Sequence, residues 1–320
     1  MKRYLLLLLV LTLSFAATFA ADESTITIKT SKPVGTSVSL DAYTSSKDEA
    51  FTVDWGDGEE KIYNIDPNGW GYSRRINTEI KGGTITIKGK LVNLDLTKAG
   101  ITSIELHGQT AMKVINLKEN EIATFAQDGM PALTELNLRD NKLTKFTGTG
   151  MTSLKTLNLQ GNQLDSHELD ITDASATLTE LNVSDNGDKF INLNLMPFTA
   201  LEYFYCDDNP EFTTAVFADN NENIRKISMN NCHVMHFYSR TFPNLTSLNL
   251  SHNALLELEE GNYPKLSSLS INHNYLTELD VTKFPKLESL YCGNNNITLL
   301  NVGSNPELLS LNCDSLDITK

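Results

Sequence analysis

The sequence predicts a β solenoid, in which short strands stack in parallel and share one apolar core. The first observation is a segment of 21 residues that recurs three times between Pro243 and Asn305. The second is that each copy has apolar residues three and five places after its first leucine, and an asparagine eight places after it. A fixed repeat of this length is typical of stacked coils, because one coil alone cannot bury its apolar side.

Positions in each copy are counted from its first leucine, which is position 0. Apolar positions 3 and 5 alternate with polar positions 2, 4 and 6, as in a strand with one face in the core and the other in solvent. The asparagine at position 8 is Asn253, Asn274 or Asn295 in the three copies. Its amide can donate and accept, so we expect it to bond backbone groups of the neighbouring coil.

The same register extends over most of the chain. Successive origins are 21 residues apart, except for three longer coils of 24, 23 and 23 residues in the middle. Repeats are therefore predicted over residues 90–320, with about eleven coils. The origins are Leu91, Met112, Leu133, Leu154, Leu178, Leu201, Ile224, Leu245, Leu266, Leu287 and Leu308.

The L-x-x-L-x-L-x-x-N-x-L line that starts at Leu245 resembles the leucine-rich repeat family. The resemblance implies a leucine-rich repeat solenoid, an arc or horseshoe whose concave side is a parallel sheet. About ten residues per coil remain for the convex side, barely enough for a marginal helix. Prolines before the origins restrict that side further, so we expect mostly extended or 3₁₀ structure. These prolines are Pro131, Pro243, Pro264, Pro285 and Pro306.

Residues 1–20 predict a secretory signal peptide. Lys2 and Arg3 precede an unbroken apolar run, and small residues stand near Ala20, where we expect cleavage. The run is shorter than the roughly 20 residues of a bilayer-spanning helix. The mature chain is therefore expected to have no transmembrane segment and to be secreted, periplasmic or on the outer cell surface.

The charge of the chain argues against nucleic acid as a partner. The formal net charge is −14, and loss of Lys2 and Arg3 with the signal segment brings it to −16. A surface of this sign repels phosphate backbones and anionic lipid.

Residues 21–89 follow another pattern, of short alternating strands between turn residues, which predicts a small antiparallel β domain like a sandwich. Within FTVDWGDGEEKIY, Asp57-Gly58 predicts a hairpin turn and Trp55 an apolar anchor. The D-W-G-D-G string resembles immunoglobulin-like modules of the polycystic-kidney-disease type and the β modules that precede leucine-rich repeats in exported Bacteroidetes-type surface proteins. The expected strands are Thr25–Thr30, Thr36–Tyr43, Ala50–Trp55, Glu59–Ile65 and Gly83–Lys88.

Two features of this module could contact a ligand. Asp54 and Asp57 lack the alternating oxygens of a calcium loop, so we assign them to turn chemistry. The segment 66–77 is expected to be a loop and the module's best contact surface. Its aromatic and basic residues are Trp70, Tyr72, Arg74 and Arg75.

The four cysteines of an exported chain could form two disulfides. Cys206, Cys292 and Cys313 fall at the inward position 5, however, and Cys232 falls at position 8. We expect buried thiols that act as small apolar side chains. One disulfide between Cys292 and Cys313, on adjacent coils, stays open as an alternative.

The outward positions 2, 4, 6 and 7 form the predicted binding face on the concave side. Asparagine and serine columns there predict a solvated floor, from which Tyr203 and Tyr205 depart, on the coil next to Lys226. Outward aromatic rings with polar neighbours are typical of protein and sugar contacts. The alternative is that these rings only pad the ladder. The predicted ligand-binding residues are Tyr203, Tyr205, Asp207, Asp208, Lys226, His252, His273 and Tyr291.

His252 and His273 both occupy position 7, on adjacent coils. Two imidazoles could share a metal ion, with Asp208 two coils away, but no third ligand is evident. Solvated side chains are the favoured interpretation, so we predict neither a metal site nor a cofactor.

No arrangement of nucleophile and base emerges from the sequence, so we predict that the chain is not an enzyme. Three functions remain. The first is an exported module that binds a protein, including a host protein, through the concave face, as the resemblance implies. The second is a glycan-binding surface protein with Tyr203, Tyr205 and Tyr291 as its platform, and the third is a structural role at the cell surface. Apolar residues in the last coil also predict weak homo-association through the C-terminal edge.

Overall fold

The structure, a computed structural model, describes residues 24–66, 72–238, 241–258 and 261–316. The predicted signal peptide lies outside the described residues. So do Trp70 and residues 317–320.

The N-terminal module contains six strands, numbered in chain order, that divide between two sheets. Strands β1, β3, β4 and β6 belong to one sheet, and β2 and β5 belong to the other. Trp55 and Leu40 are buried in the core. The strands are β1 (Thr25–Thr30), β2 (Ser37–Tyr43), β3 (Ala50–Asp54), β4 (Glu60–Asn64), β5 (Ser73–Glu79) and β6 (Thr84–Lys88).

Each predicted coil contributes one strand of three residues to a long parallel sheet, always at positions 2 to 4. Like positions lie opposite each other, as where Glu135 pairs with Val114 on one side and Thr156 on the other. The predicted solenoid register is therefore confirmed. The strands are β7 (Asn93–Asp95), β9 (Val114–Asn116), β11 (Glu135–Asn137), β13 (Thr156–Asn158), β15 (Glu180–Asn182), β17 (Tyr203–Tyr205), β19 (Lys226–Ser228), β20 (Ser247–Asn249), β21 (Ser268–Ser270), β22 (Ser289–Tyr291) and β23 (Ser310–Asn312).

The return side of the coils holds short strands and three 3₁₀ helices, at Ser166–Glu168, Thr172–Ala174 and Val281–Lys283. The strands are β8 (Ile101–His107), β10 (Thr124–Gln127), β12 (Phe146–Thr147), β14 (Leu169–Asp170), β16 (Asn192–Asn194) and β18 (Thr214–Val216). The described part of the chain has no helix of the length and hydropathy that a bilayer crossing requires.

Hydrogen-bonded ladders run across residue 89, the predicted end of the module. Strand β2 pairs antiparallel with β7, so that Asp41 lies opposite Asp95. On the other sheet, β1 pairs antiparallel with β8 of the first coil. The module thereby covers the N-terminal edge of the solenoid, whose strands would otherwise expose unpaired backbone groups.

Strand β5 corrects the prediction that residues 66–77 form a loop. Residues from Ser73 onward pair along the whole of β2 and form the edge of the long sheet. The sequence hides this strand because an edge strand faces solvent and accepts charged residues. Arg75 is also less available as a contact than predicted, because its Nε and Nη2 donate to the two carboxylate oxygens of Asp41 at 2.8 and 2.7 Å.

The W-G-D-G string forms the connection between β3 and β4, as its turn chemistry predicts. Asp54 Oδ1 accepts hydrogen bonds from the backbone N–H groups of Gly56 and Gly58, at 2.8 and 3.1 Å. Gly56 has a φ of 104°, and a Cβ there would lie 2.5 Å from the backbone of Gly82. Trp55 is buried and donates its indole N–H to the hydroxyl of Tyr63 at 2.9 Å. The motif is thus explained by folding alone.

The asparagine ladder is confirmed at position 8. Asn141 Nδ2 donates to the carbonyl of Leu138 in its own coil at 2.9 Å and to that of Leu117 in the preceding coil at 3.0 Å. Its Oδ1 accepts from the backbone N–H of Ile122 at 2.9 Å. The same two-coil donation is made by Asn120, Asn162, Asn186, Asn209, Asn253, Asn274 and Asn295.

Position 7, just before the ladder, is left-handed in every coil. The φ values lie between 54° and 68°, a region that is costly for most side chains and easiest for Gly, Asn and Asp. One of these three residue types occupies it in six coils, at Asp140, Gly161, Asp185, Asp208, Asn231 and Asn294. The left-handed turn therefore explains the residue types at this position without a ligand.

All four cysteines are free thiols, but only two of them have the buried environment that the sequence predicts. Cys206 and Cys292 are buried at position 5, whereas Cys232 and Cys313 are half-buried. Burial raises the pKa of Cys292 to about 11 and, with the neighbouring Cys232 thiol, raises that of Cys206. Both buried thiols therefore stay protonated at neutral pH.

Replacing Asn274 with Ala should destabilise the fold. The carbonyls of Leu250 and Ile271 and the N–H of Leu255 lose their side-chain partner, and one buried group left unpaired costs about 1–3 kcal/mol. Urea unfolding gives the loss directly. Ser268→Ala, on the solvent face of the same coil, is the control and should change stability by about 0.5 kcal/mol or less. Equal midpoints for wild type and Asn274→Ala would contradict the ladder's role.

Alkylation should separate the cysteines by burial. In the native protein at pH 8, Cys206 and Cys292 should react much more slowly than Cys232 and Cys313, because the thiolate is the reactive form. In denaturant, all four should react within the same time. Mass spectrometry of the labelled protein counts them, and two unreactive cysteines under denaturing, non-reducing conditions would reveal a disulfide instead.

Candidate functional site

All eight predicted site residues lie in five consecutive coils, those of β17, β19, β20, β21 and β22. Adjacent strands are about 4.8 Å apart, so the row extends about 19 Å from Tyr205 to Tyr291. The structure divides the eight residues into an aromatic group at one end, a histidine pair in the middle and Tyr291 alone.

Tyr203, Tyr205 and Lys226 form what is termed the tyrosine patch. Both tyrosines are half-buried and face outward on β17, while Phe204 between them is fully buried. Lys226 is the register partner of Tyr203 on β19, and its Nζ lies 5.0 Å from the centre of the Tyr205 ring. This distance allows a cation–π contact, which holds the lysine against the ring.

Asp207 and Asp208 support the patch from its edge. Asp207 Oδ1 accepts from Ser228 Oγ at 2.6 Å and from the backbone N–H of Asn230 at 2.7 Å. Asp208 Oδ1 accepts from Asn231 Nδ2 at 2.9 Å, and its φ of 58° is that of position 7. Both carboxylates therefore join neighbouring coils, and Asp208 is the more exposed of the two.

Glu180 belongs to the same site, although it is not among the residues predicted from the sequence. It lies opposite Tyr203 on β15. Burial, followed by the negative charge of Glu180, raises the pKa of Tyr205 above its ordinary value. The phenol is thus a secure hydrogen-bond donor at neutral pH. The one sequence signal for Glu180 is its place at position 2 of the coil that precedes Tyr203 and Tyr205.

The histidine pair is stacked and does not converge on a metal position. The ring centres of His252 and His273 are 4.1 Å apart, with 16° between the planes. Ring nitrogen lone pairs lie in the ring plane, so two parallel rings cannot both point at one ion. Asn294 Nδ2 lies 3.4 Å from His273 Nε2. Among the described residues no group of three metal-ligating side chains occurs.

Tyr291 lies on the same face as the tyrosine patch but four strands away from Tyr205. It is 38% exposed, and its hydroxyl is 3.5 Å from Ser310 Oγ. A single compact ligand cannot contact the two sites, whereas an elongated one could.

A cleft at the N-terminal end of the face, termed the junction cleft, is a feature that the sequence analysis missed. Its volume is about 570 Å³, within the range of ligand sites. Its wall depends on the pairing of β2 with β5 and β7, which sequence periodicity does not reveal. The principal lining residues are Tyr43, Asp95, Asn116, Glu135, Asn137 and Asn158.

Comparison with known families agrees with this architecture. Residues 131–173 match the family described as Leucine Rich repeats (2 copies), and residues 174–187 and 243–257 match the Leucine Rich repeat family. No curated protein matches the chain.

Several solved structures are similar. YopM from Yersinia enterocolitica is 18% identical, with a TM-score of 0.50 over 70% of this chain and 56% of that one. The functional domain of InlJ from Listeria monocytogenes is 20% identical, with a TM-score of 0.39 over 75% and 71% of the two chains. A leucine-rich repeat protein of Leptospira interrogans is 20% identical, with a TM-score of 0.47 over 65% and 62%.

The likeness to YopM concerns the fold alone, and this chain spans little more than half of that protein. The eleven registered strands and the asparagine ladder agree with the family matches, because each is a feature of stacked repeats. Residues 131–187 and 243–257 thus match leucine-rich repeat families, and the described residues form a parallel solenoid of stacked coils of that type.

Proposed function

We propose that this chain is a non-catalytic recognition module that binds a protein partner, including a host protein, through the strand face of its repeats. The observation behind the proposal is the tyrosine patch. Two aromatic rings face outward on one strand of a polar face, where the solenoid core gains little from them. The leucine-rich repeat fold is typical of protein–protein interaction modules.

The geometry of the patch suits an anchor at the centre of an interface. Tyrosine offers a large, rigid contact area at low entropic cost. Tyr205 is already oriented by Lys226, and its protonated hydroxyl can donate to a partner carbonyl. Because the rings sit on strands of a continuous sheet, little conformational freedom is lost when a partner binds.

The chemistry of the face supports a role without catalysis. Cys206 and Cys292 are buried with raised pKa values, so neither offers a thiolate. His252 and His273 stack on each other, and neither has a carboxylate or hydroxyl as a described hydrogen-bond partner. The face is thus equipped for contact, and it lacks an activated nucleophile among the described side chains.

The cellular setting belongs to the same proposal. A signal peptide at residues 1–20 would export the chain, and the acidic composition suits a secreted, periplasmic or surface location of a bacterial protein. Residues 21–89 would form an immunoglobulin-like module ahead of a repeat domain at 90–320. In the described residues β23 ends the sheet and Leu311 is 44% exposed, which supports weak association of copies through this edge.

A glycan is the second candidate partner, and the C-terminal half of the face favours it. Positions 2 and 4 of its last four strands hold only hydroxyl and amide side chains, which suit sugar hydroxyls, and Tyr291 offers a ring for stacking. The residues are Ser247, Asn249, Ser268, Ser270, Ser289, Tyr291, Ser310 and Asn312.

Replacing Tyr205 with Ala should weaken partner capture while the fold is kept. A central aromatic anchor contributes about 2 kcal/mol or more, roughly thirtyfold in affinity. Loss of the contact with Lys226 should cost about 1 kcal/mol of stability or less. The measurement is binding of the mature chain to arrayed extracellular proteins and arrayed glycans, with thermal melting alongside.

Tyr275→Ala is the matched control, because that tyrosine is 56% exposed and lies outside the strands. Binding equal to wild type in Tyr205→Ala would place the protein site elsewhere. Capture of glycans alone, weakened by Tyr291→Ala and not by Tyr205→Ala, would favour the second candidate.

A further inference from the structure

The N-terminal half of the strand face has carboxylates without basic partners. Asp95, Glu135 and Glu180 point outward from β7, β11 and β15, and no described lysine or arginine forms an ion pair with them. Most bases on this half of the face are engaged by other carboxylates: Arg75 by Asp41, Lys98 by Glu119 and Arg139 by Asp140. Lys118 is the one base of these coils' outward positions that is in no described ion pair. This half of the face therefore favours a cationic ligand.

The junction cleft adds shape and hydrogen-bonding groups to that charge. Its floor includes Glu135 and a column of amides at position 4, from Asn116, Asn137 and Asn158. Asn137 Oδ1 and Asn158 Oδ1 already accept backbone N–H bonds, so their Nδ2 groups are left to donate to carbonyls. Asn116 Oδ1 is buried and has no hydrogen-bond partner among the described residues, so it can accept from an N–H group. Tyr43 forms part of the wall. A peptide backbone needs such partners when it leaves water.

The spacing of two carboxylates selects a backbone conformation. Glu135, Thr156 and Glu180 occupy position 2 in directly paired strands. The two glutamates are thus two strand spacings, or about 10 Å, apart. In a polyproline II helix, side chains three residues apart lie on the same side and about 9 Å apart. Side chains two apart in a β-strand lie about 7 Å apart and do not match.

We propose that the junction cleft and the adjoining Glu180 bind an extended peptide segment whose basic side chains stand three residues apart. One basic side chain lies over Glu135 and the next over Glu180. The segment runs across the strands, and the asparagine column bonds its backbone, which makes no internal hydrogen bonds in the polyproline II conformation. The inference rests on the proposed function and deepens it, because it specifies the charge and spacing of the partner segment.

Two synthetic peptides of identical composition test the inference on the mature chain. Both are proline-rich and fluorescently labelled, but one has arginines three positions apart and the other has them two apart. Fluorescence anisotropy should show the first binding about tenfold more tightly, the gain expected from one additional charge-assisted contact. Added salt should weaken it, because exposed charges are screened. Equal affinity for the two peptides, or no binding, would overturn the inference.

Glu135→Gln should lower the affinity for the first peptide about tenfold and remove the difference between the two peptides. Glu278→Gln removes the same charge at an exposed residue outside the cleft and should leave the difference intact. Equal losses of affinity in the two variants would show that the net negative charge of the chain attracts the peptide, and would contradict a specific site in the junction cleft.

The two proposals fail in different ways. If neither peptide binds but capture of a protein partner still depends on Tyr205, the cleft has no such role and the proposed function stands. If the peptides are discriminated but Tyr205→Ala has no effect on capture of a partner, the cleft is the recognition site and the tyrosine patch is not.

Discussion

The asparagine at position 8 is the constraint on which the rest of the structure depends. A chain that turns inward after every strand brings backbone carbonyls and N–H groups into an apolar interior, where each unpaired group is costly. One amide side chain per coil pairs with groups of two coils, as Asn141 does with Leu117, Leu138 and Ile122. The ladder thereby fixes both the turn and the stacking register, and the strands follow from it.

This constraint separates structural positions from positions that are free to vary. Positions 3, 5 and 8 are inward, and position 7 must adopt a left-handed backbone. Position 2 has neither duty, because its side chain stands on a solvated strand face, whereas position 4 often accepts the backbone N–H two residues later, as Asn137 does from Arg139. Charge and aromatic character there, as at Glu135 and Tyr205, reflect something other than folding. By contrast, Asp208 and the stacked histidines at position 7 adopt the left-handed backbone of the turn, so their positions have a structural role in any case.

The coils were predictable because each contact in a parallel repeat recurs with the same spacing, so that Leu245 and its equivalents reveal strands and ladder together. Strand β5 was not predictable, since Ser73–Glu79 pairs antiparallel with a distant segment and has an edge strand's polar sequence. The junction cleft was not predictable either, because its wall depends on the same antiparallel pairing. At the tyrosine patch, position predicts that Tyr203 and Lys226 are neighbours, but the roles of Asp207 and Glu180 depend on side-chain orientation.

The N-terminal module links the stability of the solenoid to its surface. By pairing with β7, β2 covers the first repeat strand, and together with β5 it places Tyr43 and Arg75 beside the first repeats. The cleft wall is thus made by the same hydrogen bonds that protect the edge. Because wall and floor belong to one sheet, the spacing of carboxylates and amides along it is set by the strand repeat. A partner would then be selected by how its own side chains are spaced, and mobile loops would contribute little to that choice.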